Sequence, residues 1–201
     1  MNDTDFTIIE KSTLFQGFFR IDRYRFRHKL FAGGWSEEID REVFERGHAV
    51  AVLPYDPAAD AVVLLRQFRI GAAAAGMPAW QTEIVAGVID HGETTEDVAR
   101  REAEEEANCK LLDLVPIARY LVSPGGTSES VQVYCGRVDS RGVGGIHGLP
   151  HEHEDIEVEV VPFAEARARL LAGDFTNSPT IIALQWLLLN REDLRRRWLG
   201  G

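Results

Sequence analysis

The 201 residues suit one domain, or one domain with a small appendage, and are enough to bury a substantial core. Lys and Arg total 22 against 32 Asp and Glu, a net charge of -10 that argues against nonspecific binding to nucleic acid or an anionic membrane. No run approaches the roughly 18 apolar residues of a membrane span, and the N-terminus carries acids where a secretory signal needs bases. Cys109 and Cys135 make neither a disulfide framework nor a zinc knuckle, and a cytoplasmic protein is expected. If its substrate is an anion, positive charge must be recruited locally, and a metal ion is the obvious means.

Residues 5–46 read as strands. Leu14–Leu30 alternates Phe19, Ile21, Tyr24 and Phe26 with Arg20, Arg23, Arg25 and Arg27, and one phase break near Asp22 predicts a bulge or turn there. The arginine row reads first as a solvated sheet face. Gly33-Gly34 is a turn signal, after which Trp35–Phe44 can return antiparallel. His48–Pro54 and Ala61–Leu65 are short apolar runs of buried strand, flanking a turn at Tyr55-Asp56-Pro57. Gly71–Pro78 is small and featureless, hence a loop, and Gln81–Ala86 is a further strand ending at Gly87. A helix is expected near Thr94–Asn108, and strands near Val115–Val122, Val131–Gly136 and Ile156–Val161. A Gly-rich loop, Arg141–Pro150, precedes the last of these. Helices over Phe163–Leu171, Ser178–Leu189 and Glu192–Trp198 close the chain, the second apolar enough to need burial on several sides. The fold class is a mixed α/β (α+β) core with an N-terminal antiparallel β appendage.

The most informative segment is Gly87–Cys109, GVIDHGETTEDVARREAEEEANC. Thr94 followed by Asp97 is a capping signal that opens its helix. At about 100° per residue, Glu102, Glu105 and Glu106 fall within one arc, flanked by Ala99, Ala103 and Ala107, which are small enough to lie close to a sheet. Like charges at this spacing repel by about 0.2–0.5 kcal/mol per pair even when exposed. A carboxylate cluster beside an apolar face suits hard divalent cations; the bland alternative is a solvated acidic face.

Gly87, Glu93 six residues later, Arg101-Glu102 eight further on, the apolar Ala103 and the pair Glu105-Glu106 resemble the Nudix box. Two positions depart from it. Asn108 stands where that family usually has glycine, and Asn tolerates the left-handed conformation of a helix C-cap. Cys109 takes the final aliphatic position. With Leu14–Leu30, Gly47-His48-Ala49, Ser123–Glu129 (SPGGTSE), Gly145–Leu149 and Glu154-Asp155-Ile156, nearly the whole chain resembles the bacterial ADP-ribose pyrophosphatases of the Nudix superfamily. Pro124, fifteen residues beyond Cys109, matches that family's ADP-ribose marker, although Nudix enzymes acting on GDP-mannose carry a similar SPGG loop.

The resemblance implies a Nudix fold, a mixed sheet sandwiched between helices, with residues 47–201 as the hydrolase domain and 1–46 as a β subdomain for dimerisation and adenine contacts. It implies hydrolysis of ADP-ribose to AMP and ribose 5-phosphate with Mg2+ or Mn2+. Metal ligands would be the carbonyl of Ala86 with Glu102, Glu105 and Glu106, oriented by Glu93 and Arg101. Glu152, in the loop PHEHED, is the implied base, with Glu154 as its alternative. Arg69 suits phosphate charge, Pro124 and Glu129 belong to the substrate loop, and Phe18, Arg41 and Glu42 match adenine-contacting positions, with core packing the other reading for Phe18. A homodimer with exchanged N-terminal strands is implied, with no nucleic-acid or membrane partner. Two alternatives stay open: a pyrophosphatase for another nucleoside diphosphate sugar such as GDP-mannose, and a non-catalytic domain that senses ADP-ribose.

Overall fold

Three antiparallel strands open the chain in the computed structural model, which describes residues 5–149, 151 and 153–200. They are β1 (Phe6–Gln16), β2 (Arg20–His28) and β3 (Ile39–Glu45), in that spatial order. The β1–β2 turn falls at Gly17–Phe19, and of the two register irregularities, between Ile8 and Glu10 and between Thr13 and Phe15, the second lies opposite Asp22 and Ile21, where the phase break predicts a bulge. Asp22 also breaks the apolar pattern by its own chemistry. It is a buried acid inside β2, accepting from Thr13 Oγ1 at 2.8 Å and paired with Lys11 and Arg20 at 3.1 and 3.0 Å. The arginine row is solvent-facing but also neutralised across the sheet, Arg23 by Asp40 at 2.9 Å and Arg25 by Glu10 at 3.2 Å. These strands form one compact unit with Tyr120–Ser130, a segment from much later in the chain. Phe44 N donates to Gly126 O at 2.8 Å to join the two segments.

The second unit comprises residues 49–119 and 131 onward. The remaining strands are β4 (Ala49–Asp56), β5 (Ala61–Phe68), β6 (Trp80–Glu83), β7 (Val85–Val88), β8 (Asp113–Leu121), β9 (Ser130–Arg137), β10 (Gly145–His147) and β11 (Ile156–Pro162). They form a mixed sheet ordered β10-β11-β5-β4-β9-β8, in which β4 runs parallel to β9 and β6 and β7 pair with β5 and β4. The stretch expected as one strand, Gln81–Ala86, is thus two short ones with different partners. The switch lies at Ile84, whose amide donates to Thr180 Oγ1 at 3.1 Å rather than to the ladder. The predicted loop Gly71–Pro78 begins as a short helix, α1 (Ile70–Ala74), because its alanines are strong helix formers.

Helix α2 (Thr95–Ala107) lies between the caps expected for it: the Thr94 side chain accepts from Asp97 N, and Asn108 is left-handed at φ 49°. Val98, Ala99, Ala103 and Ala107 pack on Val50, Val52, Val63, Leu65 and Val85. Strand alternation turns Ala51 and Leu53 to the opposite face of β4, and α4 (Ser178–Leu199) also packs on β4. α3 (Phe163–Ala172) packs on β5 and β11. The two helices expected at the C-terminus are this one uninterrupted α4. Neither Asn190 nor Arg191 breaks it: Asn190 Nδ2 donates one turn back to Trp186 O at 2.8 Å, and Arg191 and Arg195 grip Asp60. Its apolar residues are not buried on every side; Leu187 is fully covered while Leu189 is 83% exposed.

Candidate active site

The carboxylate face of α2 meets β7. Gly87 allows this approach, since a Cβ there would lie 1.8 Å from Glu102 Oε1 and 2.1 Å from its Cδ. The Ala86 amide, inside β7, donates to Glu106 Oε2 at 3.0 Å. Arg101 gathers three acids. Its Nε and Nη2 fork onto Glu93 at 3.0 and 3.2 Å, and Nη1 reaches Glu102 Oε1 at 2.8 Å and Glu105 Oε2 at 3.0 Å. Glu93 is itself fixed by the Asp90 amide at 3.1 Å. The sequence-derived set Ala86, Glu93, Arg101, Glu102, Glu105 and Glu106 is therefore assembled in one place.

Glu106 is the outlier of this group. It is 3% exposed, and burial, together with the charges of Glu102 and Glu154, pushes its carboxyl up to about 8 against the Ala86 amide and the Arg69 charge. Burial also raises Glu102, against the pull of Arg101. The Arg101 hydrogen bonds hold Glu93 low. Among the described residues no three His, Cys, Asp or Glu side chains converge as a ready cage, because Glu102 and Glu105 are turned onto Arg101. The donor set nevertheless fits a hard cation: oxygen ligands only, and a buried carboxylate that lacks a cation of its own.

Arg69 follows β5 and docks on Glu83, a residue the sequence reading passed over. Glu154 is held by the Leu149 amide at 3.1 Å, and its charge is felt at both Glu102 and Glu106. Gly148, at φ +99°, makes room for it, because a Cβ would lie 2.7 Å from Glu154 Cβ. Glu152 lies outside the described residues.

The remaining candidates belong to the first unit. Phe18, at the β1–β2 turn, is 96% exposed, which excludes core packing within the chain. Its ring meets Phe19 edge-on at 4.9 Å, Phe19 meets Phe44 at 5.0 Å, and the Arg46 guanidinium sits 5.5 Å over Phe19. Arg46 in turn pairs with Glu129 at 3.6 Å, and Glu129 is buried. Phe18 and Glu129 thus belong to one aromatic and charged cluster, to which Arg46 contributes unannounced by any motif. Pro124 starts the exposed turn that Ser123 O closes with the amides of Gly126 and Thr127. Arg41 and Glu42 lie exposed in β3, opposite Tyr24 and Arg23.

The NUDIX domain model matches residues 45–184. The chain is 48% identical over 194 residues to the ADP-ribose pyrophosphatase of Escherichia coli strain K12, covering 96% of this chain and 93% of that one. It is 33% identical to the GDP-mannose pyrophosphatase of Pectobacterium atrosepticum, over 90% of this chain and 93% of the relative. A solved structure described as an ADP compounds hydrolase shares the fold at a TM-score of 0.66 and 20% identity, covering 92% and 95% of the two chains. With its box glutamates assembled around Arg101 and a family match across most of its length, the chain belongs to the Nudix family.

Proposed function

We propose that the protein hydrolyses the pyrophosphate bond of ADP-ribose, giving AMP and ribose 5-phosphate, with Mg2+ or Mn2+ held by Glu102, Glu105, Glu106 and the Ala86 carbonyl. The observation that carries the reading is the carboxylate face of α2, set over a glycine that admits Glu102, in a chain 48% identical to an ADP-ribose pyrophosphatase along nearly all its length. The GDP-mannose pyrophosphatase relative stands further off, at 33%.

A pyrophosphate repels an incoming nucleophile until its charge is neutralised, and divalent cations supply that neutralisation together with an acidified water. The protein's own groups do the rest. Arg101 and Glu93 hold the ligating carboxylates in orientation. Arg69 adds a fixed positive charge for phosphate, and Glu152 takes the proton of the attacking water. Phe18 stacks on adenine, Arg41 and Glu42 offer it hydrogen bonds, and the loop of Pro124 and Glu129 faces ribose hydroxyls. A homodimer exchanging N-terminal strands completes the reading, supported by the apolar surface that β1 and its turn leave uncovered, including Phe6, Ile8, Phe15 and Phe18.

The test is product analysis with ADP-ribose, GDP-mannose, NADH and diadenosine polyphosphates at millimolar magnesium. AMP and ribose 5-phosphate from ADP-ribose, at the highest kcat/KM of the panel, are expected. A preference for GDP-mannose would replace the substrate, and binding of ADP-ribose without AMP release would mark a sensor. Glu152→Gln should lower turnover by roughly 10²–10⁴ with metal and substrate affinity little changed. If apparent metal affinity falls instead, Glu152 is a ligand and Glu154 becomes the base.

A further inference from the structure

We propose that Glu83 is a positioning residue for hydrolysis: its buried carboxylate fixes the edge of the Arg69 guanidinium that faces the substrate phosphate. The proposal rests on the reading of Arg69 as a phosphate-binding group. Glu83 ends β6, and its side chain is 6% exposed, whereas that of Arg69 is 43% exposed. This is not a bridge with both members buried but a sunken anchor with a cation reaching out from it.

The anchor is saturated. Glu83 Oε2 accepts from Arg69 Nε at 3.0 Å, Arg69 Nη2 at 2.8 Å and Gln67 Nε2 at 3.3 Å. Oε1 accepts from Asn177 Nδ2 at 3.1 Å. Asn177 is the N-cap of α4, and its Oδ1 accepts from Thr180 N and Thr180 Oγ1 at 3.2 and 2.9 Å. Thr180 Oγ1 receives the Ile84 amide, two residues before Ala86. One polar network therefore ties β5, β6, the entry to β7 and the start of α4 to a single guanidinium.

The chemistry of the fork sets the consequence. A guanidinium held through Nε and Nη2 has lost its rotation, and its remaining edge, Nη1, has a single direction. Nη1 makes no hydrogen bond to any described residue, and the Arg69 charge is felt at the Glu106 carboxylate of α2. Burying a carboxylate is costly, and an apolar residue would fill the place of a purely structural pair as well or better. A saturated buried carboxylate under an outward-facing arginine is what preorganisation of an anion contact requires.

The experiment measures kcat and KM for ADP-ribose hydrolysis by Glu83→Gln, Arg69→Ala and the double variant, with thermal midpoints recorded alongside. The amide of Glu83→Gln keeps the volume but sets a donor against one of the donors that now meet the carboxylate. We expect kcat/KM to fall about 10–100-fold, the range for displaced supporting groups, mainly through KM. On the Arg69→Ala background the same change should cost less than about twofold. Mere loss of folded enzyme lowers apparent kcat and leaves KM alone. Equal losses on both backgrounds, with Arg69→Ala itself impaired, would overturn the proposal and leave Arg69 as a phosphate group. Wild-type kinetics from Arg69→Ala would remove the Arg69 reading and the proposal with it. Should Glu83→Gln not fold, Asn177→Ala carries the test from the far end of the network. A several-fold rise in KM that disappears on the Arg69→Ala background is expected, and an unchanged KM overturns the proposal.

Discussion

Glu106 and Gly87 show how single residues set the terms of the site. A carboxyl whose folded value is raised from 4.5 to about 8 penalises the metal-free fold increasingly as pH climbs through that interval, because the unfolded chain ionises first. Glu106→Gln should therefore raise the metal-free thermal midpoint at pH 8.5 to 9 and leave it unchanged near pH 4. If Mg2+ binds as proposed, the native chain should gain stability in millimolar magnesium and Glu106→Gln should abolish that gain. A midpoint that falls at high pH would mean that Glu106 stabilises the fold in its charged form. Gly87→Ala makes the complementary change. Its methyl must displace the Glu102 carboxylate, the mobile end of a side chain, so stability should shift by no more than about 1 kcal/mol. Turnover should drop at least about tenfold as Glu102 leaves its position. Full activity in this variant would separate Glu102 from catalysis.

At the scale of elements, one acid ties the C-terminal half of α4 to the β4–β5 turn. Asp60, left-handed at φ 54° in the β4–β5 turn, accepts from Tyr55 Oη and Arg191 Nε, each at 2.7 Å, and pairs with Arg195 at 3.0 Å. Its burial raises the carboxyl, but Arg191, Tyr55 and Arg195 outweigh that and hold it below 3.8. A depressed acid contributes stability above its unfolded value and loses it as pH falls through the folded one. Asp60→Asn should then cost about 1–3 kcal/mol at pH 7, the scale of hydrogen bonds to a charged group, measured by urea unfolding. The difference from the native chain should shrink steadily below pH 4. An undiminished difference at pH 3 would locate the effect in the turn conformation rather than in the charge. The same network explains why α4 runs on past Asn190: its arginines have a fixed anion to grip.

For the whole molecule, the uncovered apolar surface of the first unit calls for a partner. Phe6, Ile8, Phe15 and Phe18 are exposed, an apolar surface of the kind that marks an interaction site. An exchange of strands between two copies would cover them. The native chain should then sediment near twice 22.5 kDa at micromolar concentration. A chain beginning at Gly47 should be monomeric or aggregated and bind ADP-ribose poorly, despite its intact carboxylate face. A fully active monomer would remove the dimer without touching the hydrolase assignment.

The local periodicities were enough to determine α2 between Thr94 and Asn108, and the spacing of its acids was enough to place them on one face. Both are properties of a single helix, and a helix is written in residues three and four apart. The chain also determined most strands of the mixed sheet, since apolar runs between turn residues need no partner to be recognised. What only the tertiary structure decided depends on residues far apart in sequence. Ile84 splits a predicted strand because its amide finds Thr180, 96 residues away. Asp22 is an acid inside a strand whose partners Lys11 and Thr13 reach it only once β1 and β2 pair. Arg46 meets Glu129 only when Tyr120–Ser130 joins the N-terminal strands. Glu83 has no motif at all. An isolated acid among Trp80, Gln81 and Thr82 gains its meaning from Arg69 and Asn177, and buried charge is compensated through space rather than along the chain.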